Sequence, residues 1–246
     1  MEDIYIFRRV EKKYLVSGAQ KAKLLKQVGH RLVPDEHGQS TICSLYLDTP
    51  DHRLIRNSID AKAYKEKLRL RSYGTPGADT AVFLELKKKY DGVVYKRRVS
   101  MPLRQAERYL ACGKAPLEGQ IMREIDYAMG FYGWPQPAMM IAYEREAFAV
   151  KDVPQLRLTF DGAVRYRDRG LAMMSGTAGK VILPEDTFIL EVKTGGAMPL
   201  WLSHALDESG IRPASFSKYG TAYLDTLKAP AEVVEQKGEN KHAINF

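Results

Sequence analysis

The chain has 246 residues, of which 45% are hydrophobic, so it is long enough to bury a substantial core. Its formal net charge of +8 favours an anionic partner and leaves nucleic acid, anionic membranes and phosphorylated small molecules open. The two cysteines, Cys43 and Cys112, lie in unrelated contexts without a Cys/His cluster, which argues against a zinc site and a disulfide framework.

The sequence predicts no segment that enters a membrane. Its first residues, MEDIYIFRRVEKKY, are charged within the first three positions and contain no apolar stretch of signal-peptide length. No run of about 18 apolar residues occurs in the chain. We therefore expect a cytoplasmic protein without direct membrane insertion.

Capping residues and glycines predict the helices. Ser17 is placed to cap a helix that runs to Val28, because Gln20 occupies the capping-box position and Gly29 follows the end. A proline at the start and a glycine at the end predict helices from Pro102 to Gly113 and between Pro199 and Gly210. Apolar residues at helical spacing predict a helix over Glu118–Phe131, and a last helix is expected after Ser217.

The remaining alternating segments predict eight strands. They are Tyr5–Val16, Thr41–Asp48, Lys62–Tyr73, Ala81–Tyr90, Val93–Met101, Met139–Val150, Gln155–Asp161 and Thr187–Thr194. Asp91-Gly92, between two of these strands, is a strong hairpin signal. The pattern predicts a mainly β, α+β fold with an antiparallel sheet that curls or closes. We expect one domain over residues 1–228 and a disordered polar tail over residues 229–246.

The chemical signal lies in the charged face of each predicted strand. Alternate residues of a strand point to opposite faces. Seven strands place lysine or arginine on one face: Arg9 and Lys13; Lys65, Lys67, Arg69 and Arg71; Lys87 and Lys89; Lys96 and Arg98; Arg145; Arg157; and Lys193. Three of these faces also carry a glutamate, namely Glu11, Glu85 and Glu191.

Two arrangements would produce this pattern. In the first, a half-buried sheet exposes its charged faces to solvent, which is the usual explanation for a single charged strand. In the second, the predicted helices cover the leucine faces from outside, and the charged faces line a shared interior. The agreement of seven strands, with few Ser, Thr, Gln or Asn residues on the charged faces, favours the second arrangement.

An interior lined by so many cations requires an anion, because unpaired buried charges are too costly to persist. A chain of phosphates fits, since arginine binds phosphate bidentately and lysine binds it as a point charge. Glutamates among these cations predict a divalent metal, Mg²⁺ or Mn²⁺, between carboxylate and phosphate oxygens, with Glu11, Glu85 and Glu191 as its ligands. Simple Glu–Lys pairing across strands is the alternative. Nucleic acid is not an expected partner, because the chain carries no recognisable binding motif.

Nine short segments occur in an order that points to one family. They are KKY at Lys12–Tyr14, YLDT at Tyr46–Thr49, KLRLRSYG at Lys67–Gly74, LELKKK at Leu84–Lys89, KRR at Lys96–Arg98, YEREAF at Tyr143–Phe148, LRLTFD at Leu156–Asp161, LEVK at Leu190–Lys193 and FSKY at Phe216–Tyr219. Together they resemble the VTC domain, the polyphosphate polymerase domain of the vacuolar transporter chaperone complex. That family belongs to the triphosphate tunnel metalloenzymes, alongside the CYTH-type triphosphatases.

The resemblance implies a closed, eight-stranded antiparallel β-tunnel with outer helices. Such a tunnel would bind ATP and polyphosphate or triphosphate with Mn²⁺ or Mg²⁺, and would transfer the ATP γ-phosphate to a polyphosphate chain. The residues expected to act on the transferring group are Arg145, Lys218, Arg69 and Arg71. Those expected to bind phosphate are Lys13, Lys67, Lys87, Arg98, Tyr143, Arg157, Lys193 and Ser217. Glu191 matches the metal ligand of the family.

One departure leaves the reaction type open. The triphosphatase pattern ExExK has two acids on the first strand, whereas this chain has only Glu11, preceded by Arg9 and Val10. A polyphosphate-forming phosphotransferase is therefore favoured over an inorganic or nucleoside triphosphatase. A non-catalytic polyphosphate-binding module is the third hypothesis. Coupling to transport would require a membrane-protein partner.

Overall fold

The computed structural model describes residues 10–60, 63–91 and 93–228, apart from the side chain of His37. The start of the first predicted strand and the predicted tail lie outside the described residues. The strands are β1 Val10–Ser17, β2 Leu32–Asp48, β3 Tyr64–Tyr73, β4 Ala81–Tyr90, β5 Val93–Pro102, β6 Gln136–Val150, β7 Val153–Arg167, β8 Lys180–Val181 and β9 Thr187–Thr194. The α-helices are α1 Gly18–Val28, α2 Arg53–Asp60, α3 Leu103–Cys112, α4 Gln120–Phe131, α5 Leu200–Glu208 and α6 Lys218–Thr226.

Local sequence signals set the helix ends as predicted. At the start of α1, Ser17 Oγ accepts the backbone N–H of Gln20, while Gln20 Oε1 accepts the backbone N–H of Ser17. This is the predicted capping box. Gly113 ends α3 with φ of 71°, a left-handed conformation that glycine adopts without steric cost. None of the described helices is long and apolar enough to cross a membrane.

One antiparallel sheet contains all eight predicted strands, in the order β1-β9-β7-β6-β2-β3-β4-β5. The two-residue β8 pairs with β7 beside this path. The mainly β prediction is thus confirmed. The sheet is curled, because Glu11 of β1 lies 3.7 Å from the Lys87 ammonium of β4, although five strands separate them in the sheet order.

The predicted closure of the barrel is wrong in one respect. Among the described residues, no backbone pairing joins the edge strands β1 and β5. The contact between Glu11 of β1 and Lys87 of β4 joins the ends of two side chains, whereas a ladder would need two backbones about 4.8 Å apart. The fold is therefore an open, curled barrel.

Two helical layers cover the convex side of the sheet. Over β2 to β5, Leu68, Leu70 and Leu84 pack in one buried cluster with α3 and α4, including Tyr109 and Ile125. Over β1, β7 and β9, a second cluster buries the opposite leucine face. Its members include Leu190, Val192 and Leu158 of the sheet, with Leu24 of α1 and Leu206 of α5. The prediction that helices cover the leucine faces is confirmed for these four helices.

The helix α6 lies elsewhere, so the expectation that all five predicted helices cover the leucine faces from outside is wrong for this one. The helix α2, which was not predicted, contributes Leu54 to the cluster over β2 to β5 and Ile55 to the cluster that contains α6. Ile141 and Ile189 stand two residues before Tyr143 and Glu191, on the concave face of their strands. They form a third buried cluster with Ile42 of β2, Ile55 of α2, and Tyr219 and Ala222 of α6. Part of the concave face is therefore apolar, and α6 packs there because the isoleucines need covering.

Asp48 connects α2 to this cluster. Its Oδ1 accepts the backbone N–H of Leu54 at 2.8 Å, and its Oδ2 accepts the N–H of Ile55 at 3.0 Å. The Tyr219 hydroxyl also donates to Oδ2 at 2.8 Å. Asp48 is 1% exposed, so this carboxylate fixes the start of α2 against α6. Sequence reasoning missed α2, because its capping residue lies several positions before the helix.

Candidate functional site

The concave face encloses a cavity of about 460 Å³, called the central cavity below. Ten lysines and arginines line it, against two glutamates. The charged lining residues are Lys13, Lys67, Arg69, Arg71, Lys87, Lys96, Arg97, Arg145, Lys193 and Lys218, with Glu11 and Glu191. Tyr46, Tyr143, Ser217, Val94 and Tyr95 complete the lining.

Twelve of the fifteen site residues predicted from the sequence line this one cavity. They are Lys13, Lys67, Arg69, Arg71, Lys87, Tyr143, Arg145, Lys193, Ser217, Lys218, Glu11 and Glu191. Three predicted residues do not line it. Glu85 is buried, with Arg98 bonded to it, and Arg157 is exposed on β7 opposite Lys193 of β9.

The structure adds residues that the sequence prediction left out. Lys96, Arg97 and Tyr46 line the cavity, and Asp161 is bonded to two of its cations. The signal for Lys96 was present, because it shares a strand face with Arg98. Asp161 likewise shares a face of β7 with Arg157, which lies four residues before it. The alternation of charged residues along β7 did not indicate that Asp161 would be buried and bonded to cavity cations.

On one side, the Glu85 wall consists of β3, β4 and β5. Glu85 is 1% exposed and holds three cations. Its Oε2 accepts Arg69 Nε at 2.8 Å, and its Oε1 accepts Lys96 Nζ at 2.7 Å and Arg98 Nε at 2.6 Å. Burial raises the pKa of Glu85, but Arg69, Arg71 and Lys96 hold it far below its ordinary value. Glu85 is therefore a carboxylate that is fully engaged by cations.

On the other side, the Asp161 wall consists of β6, β7, β9, β1 and the start of α6. Asp161 is fully buried, and both its oxygens are bonded. Arg145 donates from Nε to Oδ1 at 2.6 Å and from Nη2 to Oδ2 at 2.8 Å. Lys218 Nζ donates to Oδ2 at 2.5 Å. The pKa of Asp161 is lowered, because these two cations outweigh burial.

Glu191 lies on the Asp161 wall among four cations, none in a tight bidentate contact. Its oxygens are 3.1 Å from Lys193 Nζ, 3.5 Å from Lys13 Nζ and 3.8 Å from Lys218 Nζ. Arg145 Nη2 lies 3.9 Å away. Burial raises the pKa of Glu191, but the surrounding cations hold it well below its ordinary value. Glu191 is therefore an ionised carboxylate with loose partners.

Glu11 completes an acidic pair with Glu191 around Lys13. Lys13 Nζ lies 3.6 Å from Glu11 and 3.5 Å from Glu191. Burial and the neighbouring Glu191 raise the pKa of Glu11, but Lys87, Lys193 and Lys13 leave it below its ordinary value. The two carboxylates therefore share one lysine at the surface of the central cavity.

Two cavity cations are bonded to neutral hydroxyls. Arg71 is 8% exposed and donates to Ser44 Oγ and Tyr143 Oη, each at 3.3 Å. Lys67 Nζ donates to Ser217 Oγ at 2.9 Å, which links β3 to the cap of α6. Burial lowers the pKa of Lys67 to about 8, which shows how costly its charge is in this position. A hydroxyl does not neutralise a cation. Glu85 acts on Arg71 only through its charge and is bonded to other cations, so both Arg71 and Lys67 can bind an anion in the cavity.

Tyr46 also lines the cavity. Its hydroxyl accepts Arg69 Nη1 at 3.1 Å, and its ring stacks on Tyr219 at 4.5 Å. Burial raises the pKa of Tyr46, but the opposite effect of Arg69, Lys67 and Arg71 is larger, and the pKa is lowered to about 8. The cationic field of the cavity thus acts on a neutral side chain as well.

The donor set around Glu191 fits a hard divalent cation that is shared with phosphate. Glu11 and Glu191 supply two carboxylates. The buried Thr159 Oγ1, opposite Glu191 in the β7–β9 ladder, has no hydrogen-bond partner within the part of the chain that the structure describes. Among the described residues no group of three or more His, Cys, Asp or Glu could hold a metal by itself. Mg²⁺ commonly uses one or two carboxylates, with phosphate oxygens and water completing its shell. Glu85 fits poorly, because three cations occupy its oxygens.

Comparisons with known proteins agree with this geometry. The sequence matches the family model of the VTC domain over residues 8–226. No curated protein matches it. Among the solved structures that share the fold are three described as provisionally assigned adenylate or adenylyl cyclases. One is from Bacillus halodurans, with a TM-score of 0.51, 16% identity, and 85% of this chain and 95% of that chain covered.

The second solved structure is from Hippeastrum and is described as having a dominant triphosphatase activity. Its TM-score is 0.52 at 16% identity, with 91% of this chain and 98% of that chain covered. The third is from Vibrio parahaemolyticus, with a TM-score of 0.50, 12% identity, and 89% and 99% of the two chains covered. At such identities the likeness establishes a common fold.

Proposed function

This chain belongs to the VTC domain family, and on that premise we propose that it is a metal-dependent phosphotransferase. In this proposal the central cavity binds ATP and inorganic polyphosphate, and the ATP γ-phosphate passes to the end of the polyphosphate chain. The observation that carries the proposal is the charge of one cavity, ten cations against two glutamates. Such an excess requires a polyanion, and a phosphate chain is the polyanion that arginine and lysine bind best.

The residues divide into two roles. Arg71 and Lys67, which are bonded only to neutral hydroxyls in the contacts described above, would bind the phosphate chain directly. Arg145 and Lys218 would stabilise the charge of the transferring phosphoryl group, since both lie beside Glu191. Phosphoryl transfer depends mainly on positioning and charge stabilisation, so fixed cations are the main contribution that a protein can make.

Glu11 and Glu191 would hold Mg²⁺ or Mn²⁺, with Thr159 as an added oxygen donor. When bound, this metal would neutralise phosphate oxygens and so favour attack on the γ-phosphorus. A terminal oxygen of the polyphosphate chain forms the new P–O bond, the bond from the γ-phosphorus to the bridging oxygen breaks, and ADP leaves. We assign Glu85 to holding Arg69, Lys96 and Arg98, and not to the metal.

A triphosphatase is the second candidate, and two observations favour it. Glu11 and Glu191 form an acidic pair around one lysine, and the Hippeastrum protein of the same fold is described as a triphosphatase. The same cations would serve if water were the acceptor. Only the acceptor differs between the two reactions.

One experiment separates the candidates. Purified protein is incubated with ATP and Mn²⁺, with and without short polyphosphate, and ADP, orthophosphate and polyphosphate are resolved by ion-exchange chromatography. The proposal expects ADP together with polyphosphate that grows in length. ADP with an equal amount of orthophosphate would establish hydrolysis instead. Binding without any product would leave a polyphosphate-binding module.

A further inference from the structure

We propose that Asp161 is the positioning residue of the site: it fixes Arg145 and Lys218 in the arrangement that recognises a linear phosphate chain. This inference rests on the proposed function, which identifies the ligand as a phosphate chain. Asp161 does not line the central cavity, but it bonds two residues that do. Its effect would therefore reach the ligand only through those two cations.

The carboxylate determines the orientation of both partners. Arg145 uses its Nε and one Nη2 hydrogen on the two oxygens of Asp161, which is the bidentate geometry that fixes the plane of a guanidinium. The Nη1 group and the second Nη2 hydrogen remain for another acceptor. Lys218 is a flexible point charge, and its 2.5 Å bond to Oδ2 holds its ammonium beside that guanidinium.

A second contact places both cations on the same side of the cavity. The Arg145 guanidinium lies 5.3 Å and the Lys218 ammonium 4.4 Å from the centre of the Tyr143 ring. Two cations this close would repel each other, and Asp161 between them removes that penalty. The group of three keeps one net positive charge, in a fixed position next to Glu191.

The backbone at Asp161 is itself tightly placed. Asp161 pairs with Arg145 in the β6–β7 ladder and with Ile189 in the β7–β9 ladder. The next residue, Gly162, has no room for a side chain, because a Cβ there would lie 2.8 Å from the Phe188 ring. The backbone that carries the carboxylate is therefore held on both sides, and its contacts with Arg145 and Lys218 start from a fixed position.

The test replaces Asp161 by asparagine and measures selectivity. Asp161→Asn keeps the shape and removes one negative charge, so a purely electrostatic role would tighten binding of both anions and would raise the preference for linear triphosphate, the more highly charged of the two. A positioning role instead lowers the preference for linear triphosphate over cyclic trimetaphosphate. We expect the ratio of the two dissociation constants, measured by calorimetry without metal, to change by about tenfold or more. Asp225→Asn, a neutralised carboxylate of α6 that bonds Tyr166 and Lys180, is the matched control and should leave the ratio unchanged.

A double-mutant cycle shows whether Asp161 acts through Lys218. In a Lys218→Met background, Asp161→Asn should change the ratio far less than it does alone. The double variant keeps the net charge of the wild-type protein, because one carboxylate and one ammonium are removed together, although Arg145 loses its bidentate partner. If Asp161→Asn alone fails to fold, the double variant is compared with Lys218→Met, and it should still show a lower preference for triphosphate through Arg145. An unchanged ratio in the folded single variant would overturn the proposal, as would full additivity in the cycle. Absence of turnover in the wild-type protein would instead count against the proposed function, because the binding ratio does not depend on it.

Discussion

The Glu85 wall and the Asp161 wall both place a buried carboxylate behind cavity cations, but they differ in how fully their acids are used. Glu85 is bonded to three cations at 2.6 to 2.8 Å, and none of the described acids of that wall lines the cavity. The Asp161 wall has a saturated acid, Asp161, and two further acids, Glu11 and Glu191, whose contacts are all 3.1 Å or longer. The first wall can only present positive charge, whereas the second can also accept a metal.

The largest expected effect concerns the stability of the Glu85 wall. Glu85→Gln leaves three cations without their buried anion, so the free energy of unfolding should fall by about 3–5 kcal/mol, which is more than about 6 °C in Tm. Glu124→Gln, which breaks a half-exposed pair with Arg97, should cost about 1 kcal/mol or less. Thermal denaturation measures both, and added triphosphate should restore part of the loss in Glu85→Gln. Equal shifts for the two variants would show that Glu85 contributes no more to stability than a partly exposed pair, and would contradict its role as the saturated acid of this wall.

On the Asp161 wall, Glu191→Gln should affect turnover more than stability. The amide keeps the shape but removes one charge of the metal-binding pair, so turnover should fall by about a hundredfold or more. Triphosphate binding without metal should persist or tighten, because a negative charge has left the cavity. Glu144→Gln, which removes an exposed carboxylate bonded to Arg165 on the same sheet, is the control. Wild-type turnover of Glu191→Gln at limiting metal would show that Glu191 only pairs with its lysines.

A cavity arginine that is bonded to a carboxylate should contribute less to triphosphate affinity than one that is bonded only to hydroxyls. Arg71→Met removes a guanidinium that is bonded to two hydroxyls, so triphosphate affinity should fall by about tenfold or more, in line with the loss of a charge-assisted hydrogen bond. Arg97→Met removes a guanidinium that Glu124 already neutralises, and affinity should change by about twofold or less. Calorimetry with metal-free triphosphate measures both. A similar loss in the two variants would mean that total charge alone governs binding.

Strand alternation predicted most of the residues that share the cavity, because a strand offers only two faces and the leucines fix one of them. It failed on β5, where Arg97 lines the cavity and Arg98 does not. It placed Arg69, Arg71, Lys87 and Glu191 together, and all four line the central cavity. The family resemblance supplied what alternation could not, namely Ser217 and Lys218, which lie before and at the start of a helix.

The remaining details depend on contacts between strands that are distant in the sequence. Nothing in the order of residues indicates that Glu85 would meet three cations while Glu191 keeps loose partners, since strand register decides this. The position of α6 on the concave face was missed for a similar reason. Ile42, Ile141 and Ile189 are alternating apolar residues like any others until the curled sheet brings them together. The open seam between β1 and β5 also follows from the curvature of the whole sheet.

The smallest effect is a pH dependence that belongs to both walls, through Lys67, which bridges from β3 to Ser217. Burial lowers the pKa of Lys67 to about 8, so its ammonium is charged at pH 7 and mostly neutral at pH 9. The pKa of Tyr46, also about 8, has the same consequence, because the phenol becomes an anion as pH rises. A bound polyanion favours the protonated form of both groups, so binding takes up protons and affinity for triphosphate should fall by roughly fivefold from pH 7 to pH 9.

Two single variants test this pH dependence. Lys67→Arg keeps its charge over this range and should flatten the dependence. Tyr46→Phe removes the phenol that ionises and should flatten the dependence as well. Titration of the ligand itself is common to all three proteins, so it cancels when their affinities are compared at each pH. If Lys67→Arg retains the wild-type dependence, the ammonium of Lys67 is already charged throughout the range, and its bond to Ser217 holds the two walls together without sensing the anion.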